Sequence, residues 1–198
     1  MARTRAADFD EKRRSILDSA AAVFAKLGME RASMAQIAQE NNVSKALLYH
    51  YYPSKDLLIF DIGRTHLVEL EGSIKQADRP DLEPRARLRH LIGGVLENYR
   101  TASNFQQVLL NSTGSLSEAQ RAELRQMERR VVKMFSDVLI DINPALAKSR
   151  AGVTPVTMSL FGILNWVYTW FKPSGALSRE GYADMVSALF LNGVSAMK

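Results

Sequence analysis

Two stretches near the start of the chain decide its fold: Ser33-Met-Ala-Gln-Ile-Ala38 and Val43-Ser-Lys-Ala-Leu-Leu-Tyr-His-Tyr-Tyr-Pro-Ser-Lys-Asp-Leu-Leu58. Ser33, with Gln36 three residues on, caps a short helix whose inner edge is Met34, Ile37 and Ala38. Asn41-Asn-Val43 breaks that helix. Ser44 caps the next one, and Pro53 ends it, because the residue before a proline avoids helical angles. Ser54 then opens a longer helix that runs into the 69–76 region. Upstream, Asp8 and Glu11 make a capping box for a first helix. Its apolar face is Ile16, Ala20, Phe24 and Leu27, and Gly28 stops it.

Two short helices joined by a tight turn, behind a longer one, have the pattern of a helix-turn-helix DNA reader. Helical spacing turns Leu48 and Tyr52 inward, with Val43 sealing the turn. Ala46 and His50 then point away from the core, flanked by Leu47 and Tyr49. Readers of this kind set the N-terminal part of the second helix against base edges. Small and apolar side chains there touch thymine methyls, while hydroxyl, imidazole and ammonium groups hold phosphates. Ser33, Ser44 and Ser54 each head a helix whose free N–H groups favour an anion, and Lys45 and Lys55 add positive charge. The residues alone leave a second reading open, in which three capped helices are scaffold and Tyr49, His50 and Tyr51 a surface aromatic patch. Charge decides little, since residues 1–55 hold nine Lys and Arg against six Asp and Glu.

Over about residues 10–60 these stretches resemble the N-terminal signature of the TetR (tetracycline repressor-like) regulators. The resemblance implies a helix-turn-helix that binds palindromic operator DNA as a homodimer. It also implies that Ser33, Tyr49, His50 and Lys55 hold phosphates while Lys45, Ala46 and Leu47 face bases, with Ser44 at the head of the reading helix. Many members carry Gly-Thr where this chain has Ala46-Leu47, which replaces a polar base contact by an apolar one.

Beyond the front of the chain the apolar spacing stays helical, and no alternating strand pattern is present. The expected fold is all-α with about nine helices, divided into a DNA-binding domain over 1–56 and a ligand-binding and dimerisation domain over 57–198. After a loop at 78–84, Pro84 opens a helix with the stripe Leu88, Leu91, Ile92, Val95, Leu96 and Tyr99. A separate short segment surrounds Phe105 to Leu110. Ser117 and Gln120 cap a long helix carrying Leu124, Met127, Val131, Met134, Phe135 and Val138. Two very apolar helices follow, at about 155–171 and 178–194. Helices apolar on several sides pack on more than one partner, in a thick core of their own subunit or against a twofold copy; the family resemblance implies a dimer interface there, with Phe161, Met185, Leu189 and Phe190 as its candidates.

The stretch Phe161-Gly-Ile-Leu-Asn-Trp-Val-Tyr-Thr-Trp-Phe-Lys-Pro173, with Ala183-Asp-Met and Leu191-Asn-Gly, resembles a subgroup that controls fatty-acid, aromatic-acid or sterol-ring breakdown. The resemblance implies an acyl-CoA inducer. Phe105, Met127, Met134, Met158, Asn165 and Trp166 are the candidate ligand residues, since methionine adapts to irregular apolar shapes. Arg85, Arg87, Arg89, Arg129, Arg130 and Lys133 are candidates for coenzyme phosphates. A plain core with a solvated basic face is the alternative. Gly93-Gly94 interrupts a good helix, for close packing or for a ligand.

The 198 residues contain no cysteine, which excludes disulfides, thiolate metal sites and cysteine nucleophiles. Hydrophobic residues make up 46% and charged ones 24%, the balance of a globule rather than a disordered chain. The net charge of +5 suits an anionic partner. His50, His66 and His90 have no paired metal spacing, and neither a Gly-rich phosphate loop nor a Gly-x-Ser-x-Gly elbow is present. We therefore expect no catalytic residues, no metal and no cofactor. An architectural DNA binder is the remaining rival. Without an apolar signal core or a span of about 20 apolar residues, the expected location is the cytoplasm.

Overall fold

The computed structural model describes residues 2–111, 114, 116–148, 151–195 and 197. Every regular element among them is a helix: α1 (Ala2–Leu27), α2 (Met34–Glu40), α3 (Lys45–Tyr51), α4 (Lys55–Ala77) and α5 (Pro84–Asn111) come first. They are followed by α6 (Glu118–Ile142), α7 (Ala145–Lys148), α8 (Thr154–Asn165), α9 (Val167–Trp170) and α10 (Arg179–Ser195). The all-α expectation holds. α7 and α9 are single turns.

Local chemistry explains most of the boundaries. Gln36 donates its backbone N–H to Ser33 Oγ while its side chain accepts from the Ser33 backbone, completing the expected box. Leu47 and Leu57 donate to the hydroxyls of Ser44 and Ser54. Ser117 and Gln120 repeat the box at α6. Gly28 stops α1 at φ +79°, a left-handed angle that glycine adopts without a Cβ clash.

Three boundaries differ from the sequence reading. α1 starts at Ala2, so Asp8 and Glu11 lie inside it and form no capping box. Residues 2–7 contain no helix breaker, and alanine and arginine are strong helix formers. The separate segment expected at Phe105–Leu110 is the continuation of α5 past a kink at Ala102, where φ is −109° and ψ is 21°. The helix expected over 155–171 is broken at Trp166 into α8 and α9.

The chain forms two compact units, one of Met1–His66 with Ala102–Leu124, the other of Leu67–Thr101 with Arg125–Lys198. The core of the first includes Ile16, Ala20, Phe24, Ile37, Leu48, Leu58 and Ile62, all buried. Asn41 ties the end of α2 to α1, donating to Ser15 O at 2.8 Å and to Ser19 Oγ at 2.9 Å. The core of the second includes the entire α5 stripe from Leu88 to Tyr99, with Phe135, Val138, Leu160 and Val186. Each valine, leucine, isoleucine or phenylalanine among them contributes roughly 1.5–3 kcal/mol by leaving water. Gly94 lets α5 approach α4, because a Cβ there would lie 2.8 Å from Ala77 Cβ and 3.1 Å from Ser73 O. The same construction at Gly93 meets nothing within 4 Å.

Candidate nucleic-acid interface

Only Leu48 of α3 is buried. Tyr52, the residue that closes the helix, is buried as well, and Val43 is half-buried in the turn. The opposite face carries Ser44, Lys45, Ala46, Leu47, Tyr49 and His50, all exposed. Tyr49 is 49% exposed and Leu47 37%, large apolar groups held in water on a seven-residue helix with nothing among the described residues to cover them. Ser33, the expected phosphate contact on α2, is also exposed. These residues share the short α2–α3 module, and the hydroxyls of Ser33 and Ser44 accept from backbone N–H groups of the helices they head.

Lys55 is placed differently. It is half-buried, and its ammonium donates to Met29 O at 2.7 Å and Ala32 O at 3.4 Å, clamping the loop between α1 and α2. An ammonium has three N–H groups, so one remains for a phosphate.

Sequence reasoning missed the polar group that joins three helices. Asp61 of α4, 8% exposed, accepts from Tyr52 Oη at 2.5 Å and from Arg13 of α1 through both Nε at 3.1 Å and Nη2 at 2.6 Å. Burial and the neighbouring carboxylate push the Tyr52 hydroxyl up, so it stays protonated and donates. The available signal was a single charge amid the inward positions Leu58, Ile59 and Ile62. Phe9 was also missed; its ring stacks on Tyr51 with centroids 4.7 Å apart.

Residues 16–62 match the family model described as bacterial regulatory proteins, tetR family, and residues 81–194 match the tetracyclin repressor-like C-terminal domain. The chain belongs to the tetR family. A TetR-family transcriptional regulator from Bordetella parapertussis 12822 is 33% identical, with a TM-score of 0.85 over 91% of this chain and 94% of that one. AibR, solved in complex with isovaleryl coenzyme A and operator DNA, is 28% identical, with a TM-score of 0.78 over 91% of this chain and 98% of its own. The HTH-type transcriptional regulator BetI of Pectobacterium carotovorum is 25% identical, spanning 86% of this chain and 85% of that protein. The chain is therefore a DNA-binding transcriptional regulator of the tetR family, with a helix-turn-helix at its front. No helix among the described residues is long and apolar enough to cross a membrane.

The residues expected at a ligand or a partner subunit are spread more widely. Phe105 lies in the first unit, buried, with the Arg14 guanidinium 5.0 Å from its ring centre. Met127 is buried and Met134 half-buried on α6. Asn165 accepts from Tyr99 Oη at 2.7 Å. Met158 on α8 and Trp166 at its C-terminal cap are 51% and 63% exposed, facing outward rather than into a core. Met185 and Leu189 are also exposed and Phe190 half-buried. Phe161, expected at an interface, is 5% exposed and packs edge-on against Phe135 at 5.0 Å, so it serves its own subunit's core. Of the basic residues suggested for coenzyme phosphates, Arg87 pairs with Asp78, Arg89 with Asp184, Arg130 with Glu71 and Lys133 with Asp137.

Proposed function

We propose that this tetR-family protein is a cytoplasmic repressor that binds a palindromic operator as a homodimer and is released by a small hydrophobic effector, an acyl-CoA thioester. Residues 1–56 read DNA and residues 57–198 bind the effector and dimerise. The observation that carries the DNA-reading half is the outward face of α3, where Ala46 and Leu47 are exposed beside Lys45 and nothing among the described residues covers them. Ala46 and Leu47 meet thymine methyls, and Ser33, Tyr49, His50 and the free N–H of Lys55 meet phosphates. Two exposed apolar stripes support the dimer: Met158 and Gly162 on α8 with Trp166 just past its end, and Met185, Leu189 and Gly193 on α10. Each repeats every four residues, the spacing of one helix face. Apolar stripes of this kind mark association surfaces. Met158 and Trp166 therefore belong to this face, while Met127, Met134 and Asn165, all in the second unit, remain the effector candidates.

The acyl-CoA reading is supported by AibR, whose structure contains isovaleryl coenzyme A and operator DNA. A non-CoA hydrophobic compound is the alternative, favoured by the ion pairs that already occupy Arg87, Arg89 and Arg130. An effector releases DNA only by binding two conformations unequally, and a 100-fold loss of operator affinity needs about 2.7 kcal/mol of coupling. A thermal-shift screen of acyl-CoAs beside simple hydrophobes identifies the ligand, because a hundredfold excess over Kd adds about 2.7 kcal/mol of stability. Calorimetry with and without operator then tests the coupling. The same fold-change must appear in effector affinity, and identical affinities in the two titrations contradict release by this route.

A further inference from the structure

We propose that Tyr52, Asp61 and Arg13 fix the angle of the reading helix α3 and thereby set how sharply this chain distinguishes its operator from other DNA. The inference rests on α3 being the reading helix. α3 has only one fully buried side chain of its own, Leu48. A single leucine in an apolar core gives adhesion without direction, since the hydrophobic effect is non-directional. Direction comes from the residue that ends the helix. Tyr52 donates its backbone N–H to Leu48 O at 2.9 Å and its hydroxyl to Asp61 at 2.5 Å. Only Tyr52, Pro53 and Ser54 separate α3 from α4, so the Tyr52–Asp61 pair, which spans that turn, sets the geometry of α3 against α4.

Arg13 completes the arrangement. A carboxylate this buried is costly unless it is paired and hydrogen-bonded, and Arg13 reaches it through two nitrogens. The guanidinium comes from α1, so one carboxylate holds α1, α3 and α4 together. The Phe9–Tyr51 stack is a second tie between α1 and α3. Only the carboxylate of this pair is buried, the Arg13 side chain being 38% exposed; even a fully buried pair adds little stability compared with apolar residues of similar size, and its best-attested use is to select one arrangement among several. Base reading needs that selection, because side chains must lie within about 0.5 Å of their working position. Phosphate contacts tolerate more error and carry no sequence information.

These are positioning residues, and the test separates positioning from plain stability. Wild-type protein first selects a duplex from a random pool. Affinities for that duplex and for an unrelated duplex are then measured for Tyr52→Phe and for the double variant Arg13→Met/Asp61→Leu, beside thermal melts. Tyr52→Phe keeps the ring in its place and loses only the hydroxyl. The expected result is a loss of about tenfold or more on the selected duplex. Affinity for the unrelated duplex stays within about twofold, with an unchanged salt slope. An unchanged ratio of the two affinities in both variants overturns the inference. So does a parallel fall of both affinities that tracks the loss of thermal stability. A wild-type chain that selects no duplex at all removes the reading-helix assignment itself, and this inference with it.

Discussion

The ammonium of Lys55 donates to the carbonyl of Met29 at 2.7 Å, tying the first turn of α4 to the loop that leads into α2. One side chain thus braces the helix-turn-helix from within, and under the proposed function its remaining N–H meets a phosphate. Lys55→Ala has two expected effects. Binding to all sequences weakens alike, and the salt slope falls by about one unit as one counterion fewer is released. Stability also falls, by about 1–3 kcal/mol, because the carbonyls lose a charged donor. Affinity titrations at several salt concentrations, with urea unfolding, check both; an unchanged slope removes Lys55 from the phosphate contacts.

Neighbouring glycines on α5 should respond in opposite directions. Gly94→Ala forces a methyl to within 2.8 Å of Ala77 Cβ and 3.1 Å of a backbone oxygen. It should cost about 1–3 kcal/mol, the usual range for overpacking. Gly93→Ala meets open space and removes a glycine from a helix interior, so it should stabilise by up to about 1 kcal/mol. Denaturant midpoints of the two variants decide the matter, and equal signs contradict the packing described for α4 and α5.

His66 makes stability depend on pH. It is 1% exposed, and burial pushes its imidazole down from 6.5 to about 4. The unfolded chain therefore takes up the proton first. The contribution is whole above pH 6.5 and is lost as pH falls toward 4. Between pH 7 and pH 5 the loss from this one group is about 2 kcal/mol. Glu71, held low by Lys75 and Arg130, and Asp78, held low by Arg87, lose their share only at still lower pH. Urea unfolding of His66→Gln should show a flatter profile between pH 7 and pH 5 than the wild type. A profile of equal steepness assigns the loss to other groups.

Leu189→Glu probes the apolar stripe of α10. Leu189 is 65% exposed, so the folded subunit tolerates a charge there. A homodimer that buries this stripe does not, because an unpaired charge in an apolar seam is expensive. Sedimentation should show a shift to monomers with helicity retained. A dimer of wild-type stability places the interface elsewhere.

The helix-turn-helix was legible because each of its signals is local. Ser33 with Gln36, Ser44, Ser54, Pro53 and Gly28 act within four residues of where they stand, and the structure uses each as expected. The inward pair Leu48 and Tyr52 follows from helical periodicity alone. What was not legible depends on long-range partners. Arg13 and Asp61 are 48 residues apart, so no spacing rule joins them. The same holds for Tyr99 and Asn165, 66 apart, at the point where α8 ends. Phe161 and Met158 read alike in an apolar run, yet one packs on Phe135 and the other faces water. The false start at Asp8 has another cause: a capping box competes with helix formers upstream, and here they extended the helix past it.

The most direct test of the account is nuclease footprinting on a duplex selected by the wild-type protein, with Ala46→Glu run alongside. Ala46 is exposed on α3, opposite buried Leu48, so the substitution puts a carboxylate against the groove without disturbing the fold. The account predicts that wild-type protein protects a short palindrome whose half-sites lie about 34–36 Å apart, or a multiple of that. Ala46→Glu, still helical and dimeric, should protect nothing. Broad protection without a palindrome by the wild type, or a wild-type footprint from Ala46→Glu, would contradict the claim that α3 reads DNA.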